Sequence, residues 1–343
     1  MSSFISMGPE NITNQPSVTE TMYWNNHTML FKPVFNIVIS PITIIISIIG
    51  ICGNSLVVWY LSFKIKRNTS TTYIFNLALV DAAFLLFVTV FTLVAMVFTL
   101  APGLEAHYEH VHFINVIDTL IQACIFGYNT SLCLLTAISI ERCISVLFPI
   151  WYHCNRPKHL SAVVCAFIWF TSCLLSALEL AFCYNITYNR TGLKDGSGKE
   201  CKVVFIIICC FSFMIFIPSM TVSSLVLLIK VWKSSQQRQP RKLYVVITVT
   251  VVFFLVFGMP MRILLLAWYK HHIMPPFPMM DLFSMFCSTN SAINPFVYFL
   301  VGRKGTHGRK ITILAILQAV FRDEGSQYKR EQRKISAEAD TVM

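Results

Sequence analysis

The sequence predicts an all-α membrane protein: a seven-transmembrane helix bundle with an amphipathic helix after the last span. Three observations predict it. Of 343 residues, 55% are hydrophobic and only 13% charged, about half the charged share of an ordinary soluble domain. The apolar residues gather in seven stretches, each long enough for the roughly 20 residues of helix that cross the hydrocarbon. Most of the 27 basic residues lie in alternate connecting segments and the C-terminal tail, as expected when the cytoplasmic loops hold the positive charge.

The stretches are Val34–Phe63, Tyr73–Leu100, Val111–Leu147, Leu160–Cys183, Val203–Val231, Leu243–Tyr269 and Phe277–Val301. Several contain Pro or Gly, which membrane helices tolerate because neighbouring helices re-satisfy the freed backbone groups. An odd number of crossings puts the two ends on opposite sides. Lys64 and Arg67, Arg142 and Arg156, Lys230 and Lys233, and the basic tail from Arg303 onward then fall on the cytoplasmic side, which places the N-terminus outside. Sequons at Asn11, Asn26, Asn185 and Asn189 all fall in segments assigned to the exterior and are expected to be glycosylated. Those at Asn68 and Asn129 fall in an inner loop and within a span, and are expected to stay bare.

The organisation that follows is an extracellular glycosylated N-terminus over 1–33 and a membrane domain over 34–301. A juxtamembrane amphipathic helix over 302–322 and a disordered cytoplasmic tail over 323–343 complete it. Residues 1–30 lack the apolar core of a cleaved signal peptide, so the first span is expected to act as an uncleaved anchor. In the juxtamembrane segment Ile313, Ile316, Leu317 and Val320 recur at helical spacing between basic residues, a pattern that suits a helix lying on the inner leaflet.

Composition also excludes function classes. A net charge of +11 would suit nucleic acid, but the bases sit in short clusters with no aromatic-interleaved basic face, so no nucleic-acid partner is expected. Transport or channel activity would need an internal repeat or a pore-loop pattern, and neither is present. A retinal protein needs a lysine in the seventh span, and Asp281–Val301 has none. With no G-x-S-x-G and no H-E-x-x-H, no enzymatic activity is expected. His107, His110 and His112 form an H-x-x-H-x-H run, but with no acidic or Cys partner fixed nearby a solvated loop is the expectation and no metal is assigned.

Most of the 12 Cys lie inside spans, where they pack as small apolar residues. Cys183 and Cys201 are placed on the oxidising side, at the ends of the fourth and fifth spans. A disulfide between them would close the second outer loop and contribute about 3 kcal/mol; two free thiols are the alternative.

Charges inside spans are costly, so each marks a functional position. Asp81 lies mid-span with no adjacent base, and Asn54, Ser131, Asn290, Ser291 and Asn294 on other spans can converge on it. A carboxylate ringed by neutral oxygens suits a small hard cation or a proton. Glu141-Arg142-Cys143 closes the third span at the inner face, where an arginine beside a carboxylate can hold that face shut and later meet a partner. Pro260 supplies a kink in the sixth span. Asn294-Pro295-Phe296-Val297-Tyr298 combines a kink, a polar ligand and a phenol near the inner leaflet.

Gly53-Asn54, the Asp81 context, Glu141-Arg142-Cys143, Trp169, Pro218, Pro260 and Asn294-Pro-x-x-Tyr298 occur in order, one per span. Together they resemble the rhodopsin-like G-protein-coupled receptors over the whole membrane region. Phe126-Gly-Tyr-Asn-Thr, Leu134-Leu-Thr-Ala-Ile-Ser, Phe148-Pro-Ile-Trp-Tyr, Arg156-Pro-Lys and Met259-Pro-Met-Arg262 look, more narrowly, like the Mas and Mas-related receptors.

The resemblance implies a plasma-membrane receptor for an extracellular peptide, in the Mas case an angiotensin-derived one, coupled to Gq and also Gi, with arrestin as a further partner. In the Mas-related case it implies a sensory-neuron receptor for other cationic ligands. No cofactor is implied beyond an allosteric sodium ion held by Asp81 with Ser131, Asn290 and Ser291. Arg142 would engage the G protein as the sixth span swings out, and Tyr298 would move inward. Gly258 stands where the wider class has a tryptophan, so the usual aromatic toggle is absent. Ile117 stands where that class has a Cys, which leaves Cys183 and Cys201 to bond each other. Cys124 replaces the carboxylate of amine receptors and so argues against a monoamine. Glu179 matches the acid that Mas-related receptors use for cationic ligands, and Arg262 suits a ligand carboxylate; the alternative is that these two pair with each other. Asp118 and Asp281 are further residues at the outer mouth.

Overall fold

The computed structural model describes residues 18–65, 68–100, 110–157, 159–188, 203–204, 206–207, 210–233, 249–258, 260, 277–303 and 317. Among these the chain is all helix and turn, with no strand. The first helix runs Val18–Phe63, the second Thr69–Leu100, the third His110–Leu147 and the fourth Leu160–Tyr188, with a short connecting helix, Pro149–Cys154, between the last two. The fifth span contains Ile217–Lys233, part of the sixth is described around Phe254–Gly258, and the seventh is Phe277–Arg303.

Four of these helices carry apolar segments long enough to cross a membrane: Ile37–Phe63, Thr69–Val97, Thr119–Ser145 and Leu160–Ala181. The first helix begins at Val18, well ahead of the apolar stretch. Hydropathy marks where a helix meets lipid, whereas the backbone hydrogen bonds continue past that boundary. Asn26 and Asn185 therefore lie on helix, as do His110 and His112, which the sequence had placed in a loop. Asn11, Asn189, Cys201, Arg262, His107 and the tail expected to form the amphipathic helix, apart from Gly302, Arg303 and Leu317, fall outside the described residues.

The bundle's two surfaces have opposite chemistry. Phe167 and Phe170 are 65% and 66% exposed, on an outer face that suits lipid. The interior mixes aliphatic packing (Val57, Leu61, Leu77, Leu85, Leu132, Leu135) with buried Ser, Thr and Asn. Without water in the hydrocarbon these polar groups need partners inside the protein. Many find them in their own helix: Thr43, Thr136 and Ser139 donate to the carbonyls of Ile39, Leu132 and Leu135, four residues earlier. The first helix packs along the second and seventh, and the third against the second, fourth and fifth.

Prolines shape the later spans. π-helical turns occupy Phe211–Phe216 and Phe254–Gly258, just ahead of Pro218 and Pro260. A proline has no N–H to donate, and its ring crowds the carbonyl four residues earlier. Here those carbonyls belong to Met214 and Val256, inside the two π turns, where the wider turn relieves the crowding. In the seventh helix Pro295 is internal, and Gly53 leaves room for its ring. A Cβ at that glycine would stand 3.1 Å from Pro295 Cβ.

Candidate functional site

The mid-membrane site is built from four helices around Asp81, which is 1% exposed. Its Oδ1 accepts hydrogen bonds from Ser131 Oγ at 2.7 Å and Ser291 Oγ at 3.0 Å. Its Oδ2 accepts one from Asn294 Nδ2 at 2.7 Å. Asn54 joins through the backbone, its Nδ2 donating to the carbonyls of Ser291 at 3.1 Å and Gly50 at 3.0 Å. Asn290 is buried beside Ser291. The residues that the sequence proposed for this cluster are thus gathered by helix packing, four of them by hydrogen bonds.

Three donors on one carboxylate suit the ionised form, which can only accept. The amide oxygens of Asn54, Asn290 and Asn294 are buried without a hydrogen-bond partner. Oxygen ligands beside a carboxylate, with no His or Cys among them, fit a hard cation such as sodium. No cluster of three or more His, Cys, Asp or Glu that could hold a softer metal occurs among the described residues.

One turn toward the Arg142 end of the third helix the surroundings become mostly apolar. Ile74, Leu77, Leu135, Ile138, Val251 and Tyr298, with Ser139 and Thr250, line a cavity of about 10 Å³, room for roughly one water molecule. Tyr298 is 3% exposed. This layer separates the Asp81 cluster from the Glu141 end of the bundle.

At the Arg142 end of the third helix Glu141 makes an ion pair with Arg156, in the segment between the third and fourth helices, Nε to Oε1 at 2.7 Å. The sequence had paired this carboxylate with its neighbour Arg142, which is buried at 3% exposure. Arg156 also donates to Thr69 Oγ1 at 3.1 Å and Ser161 Oγ at 3.4 Å, and its guanidinium lies 5.2 Å from the Tyr152 ring centroid. Burial, reinforced by the Glu141 charge, pushes the Tyr152 phenol above its ordinary value, with Arg142 and Arg156 opposing. Thr69 is held in place by a capping box: Asn68 Oδ1 accepts from the Thr71 N–H at 2.8 Å, and Thr71 Oγ1 accepts from the Asn68 N–H at 2.6 Å. Beside this cluster Phe148, Ile150 and Trp151 are exposed at 59%, 80% and 45%.

Sequence reading missed two further links. Trp169 Nε1 donates to Asn76 Oδ1 at 3.0 Å, tying the fourth helix to the second. Tyr128 Oη donates to the Gly258 carbonyl at 2.8 Å, tying the third helix to the π turn of the sixth span. The signal for this one was present in part: an aromatic is missing at Gly258, and a phenol one helix away reaches its backbone instead. Tyr128→Phe removes a bond worth about 1 kcal/mol. Ligand-independent signalling should rise by about fivefold, as the third and sixth spans are freed to separate. Unchanged basal signalling per surface receptor would refute that link.

Toward the opposite end of the bundle, Glu179 is buried at 7% exposure on the fourth helix. Cys124 is half-buried on the third helix, and Asp281 half-buried near the start of the seventh. Asp118 is on the third helix. These four stand on three different helices. Asn129 is buried within the third helix at 5% exposure, a position that no glycan reaches.

Comparison with known proteins places this architecture. The family model for the 7 transmembrane receptor (rhodopsin family) matches residues 53–298. The chain is 38% identical to Proto-oncogene Mas of Rattus norvegicus over 300 residues, spanning 87% of this chain and 88% of that protein. Identity to Proto-oncogene Mas of Homo sapiens is 35% over 352 residues, 100% of this chain and 98% of the relative. For Mas-related G-protein coupled receptor member H of Rattus norvegicus it is 36% over 324 residues, 93% and 92% of the two chains. The chain therefore belongs to the rhodopsin family of seven-transmembrane receptors, in its Mas and Mas-related branch: a multi-pass membrane receptor for an extracellular ligand that works through a heterotrimeric G protein, and not an enzyme.

Proposed function

We propose that the chain is a plasma-membrane receptor, N-terminus outside and C-terminus in the cytosol, that binds an extracellular peptide and activates Gq and Gi. The observation that carries the reading is the Asp81 cluster, which ties the second, third and seventh helices through one carboxylate and the first through the bond of Asn54 to the Ser291 carbonyl. Such a junction lets a small shift at the outer mouth repack the inner end, because buried polar networks have discrete arrangements. Orientation rests on the basic inner segments. Sodium, held by Asp81 with the oxygens of Ser131, Asn290, Ser291 and Asn294, would favour the resting arrangement.

The ligand carries both charges. Glu179, a buried acid on the fourth helix, takes its cationic group, and Arg262 takes a carboxylate. Asp118 and Asp281 stand at the rim. An angiotensin-derived peptide has this chemistry, as the likeness to Mas supports; a cationic sensory ligand would use Glu179 alone. On the inner face Arg142 meets the G protein, and arrestin uses the same opening. Cys183 with Cys201 closes the second outer loop, and Asn11, Asn26, Asn185 and Asn189 carry glycans.

A calcium and cAMP assay on cells expressing the receptor, run with a peptide panel, tests this. Glu179→Gln and Arg262→Gln should each lower potency of the active peptide at least tenfold, the usual effect of unpairing a buried charge contact. Wild-type potency in both would remove them from the site.

A further inference from the structure

The π turn Phe254–Gly258 is where the regular helix of the sixth span is already interrupted, so a change of shape costs least there. Gly258 closes that turn without a side chain, and its carbonyl accepts from Tyr128 of the third helix. The ring beside it, Phe257, is turned to the seventh helix instead. It meets Phe286 edge to face, with centroids 5.8 Å apart and planes at 74°. Phe286 meets Phe283, one turn earlier in the seventh helix, in the same way at 6.3 Å and 85°. On its other side Phe257 lies nearly parallel to Phe253, at 5.6 Å and 12°.

Four rings thus form an unbroken row from the early turns of the seventh helix, through the π turn, and on along the sixth span. All four are half-buried, in the seam where the seventh helix packs against the π turn. Phe283 stands two residues from Asp281, at the end of the bundle away from Glu141. Ring edges and faces carry opposite partial charge, so each edge-to-face contact favours an angle as well as a distance. An aliphatic side chain imposes no such angle. Packed contacts of this kind change between discrete arrangements rather than continuously.

We infer that Phe257 and Phe286 are the positioning pair for ligand-driven signalling: they hold the π turn against the seventh helix in the partner-free receptor, and a ligand that moves Phe283 releases it. The inference rests on the reading that puts the start of the seventh helix at the outer mouth and the G protein at the other end. A row of contacts makes a route between two ends only where it biases an element with two arrangements, and the π turn is that element. Contacts made in the partner-free receptor stabilise it, so removing them shifts the population toward the arrangement that the G protein selects.

The test is binding of purified, nucleotide-free Gq and Gi heterotrimers to the full-length receptor in lipid nanodiscs without ligand, with thermal unfolding of each variant alongside. Phe257→Leu and Phe286→Leu keep an apolar side chain and remove the ring. Each should raise G-protein affinity by at least about fivefold, the low end of ordinary coupling between sites. The double variant should lie within about twofold of the stronger single one, since both remove the same contact. Phe283→Leu should raise affinity too, but by less than about twofold once Phe286 is leucine. Should a leucine variant not fold, the methionine one, whose flexible chain fills an irregular gap better, is read in its place. Rings that serve only as packing would lower the unfolding temperature and leave affinity unchanged, and that result overturns the inference. So do single effects that multiply in the double variant. The G-protein reading fails separately. If the variants differ as expected for Gi while none binds Gq, the assignment of Gq fails and the inference stands. If every variant binds Gq and Gi as wild type does, only the inference fails, and if neither heterotrimer binds any of them, both fail.

Discussion

Asp81→Asn should abolish any effect of sodium on agonist affinity while leaving a folded receptor. The side chain is nearly isosteric and keeps one oxygen, so Ser131 and Ser291 retain an acceptor at the Oδ1 position. On the other side the new amide nitrogen faces the Asn294 nitrogen, now 2.7 Å away across what was a donor–acceptor contact. Two donors face each other there, and the negative charge that would hold a cation is gone. Hydrogen bonds to charged groups are worth about 1.5–3 kcal/mol, so a stability loss of about 2 kcal/mol is expected. Competition binding with and without sodium chloride, alongside thermal unfolding in detergent, gives both readouts. A sodium shift that survives in Asp81→Asn rules the pocket out. Asp81→Leu is the harsher comparison: it strands three buried donors at once and should keep the receptor from the cell surface.

How far the sequence could lead is clear from where each interaction comes from. The Asp81 cluster was legible because its members are polar residues in apolar spans, where each stands out. Their convergence needs only antiparallel helices of known direction. Arg156 was not legible in the same way. A basic residue in an inner loop is expected for orientation alone, and nothing in its local pattern distinguishes a guanidinium that faces solvent from one that reaches back to Glu141. The Tyr128–Gly258 bond was hidden for a different reason. Its acceptor is a backbone carbonyl, which has no sequence signature, placed by a π turn that Pro260 imposes. Hydropathy found the segments of the first four helices that suit lipid, yet it could not mark that the first helix continues back to Val18, because backbone hydrogen bonds need no apolar run. Glycine spacing was the least informative. Gly50 and Gly53 look alike in the sequence and differ only in what stands opposite them.

That difference makes the second large expected effect. A Cβ at Gly50 would lie 2.6 Å from Leu85 Cδ1, 2.7 Å from Ala292 Cβ and 2.9 Å from Ala292 Cα. The Leu85 methyl ends a side chain, but Leu85 is fully buried and has little room to turn. The Ala292 atoms belong to the seventh helix itself, so the first and seventh helices would have to separate. Asn54, which bonds the Gly50 and Ser291 carbonyls across this seam, would be pulled from one of them. Alanine gains about 1 kcal/mol over glycine in helix propensity, while overpacking costs typically about 1–3 kcal/mol and strains the hydrogen bond as well. The clash wins, and Gly50→Ala should lower the unfolding temperature and surface expression. Gly53→Ala meets only the Pro295 ring, at 3.1 and 3.2 Å; there the two terms nearly cancel and stability should stay within about 1 kcal/mol of wild type. Ala292→Gly removes the opposing methyl and should restore part of what Gly50→Ala loses. If Gly50→Ala unfolds no earlier than Gly53→Ala, the first and seventh helices do not approach as closely as described, and the Asn54 bridge to Ser291 goes with that contact.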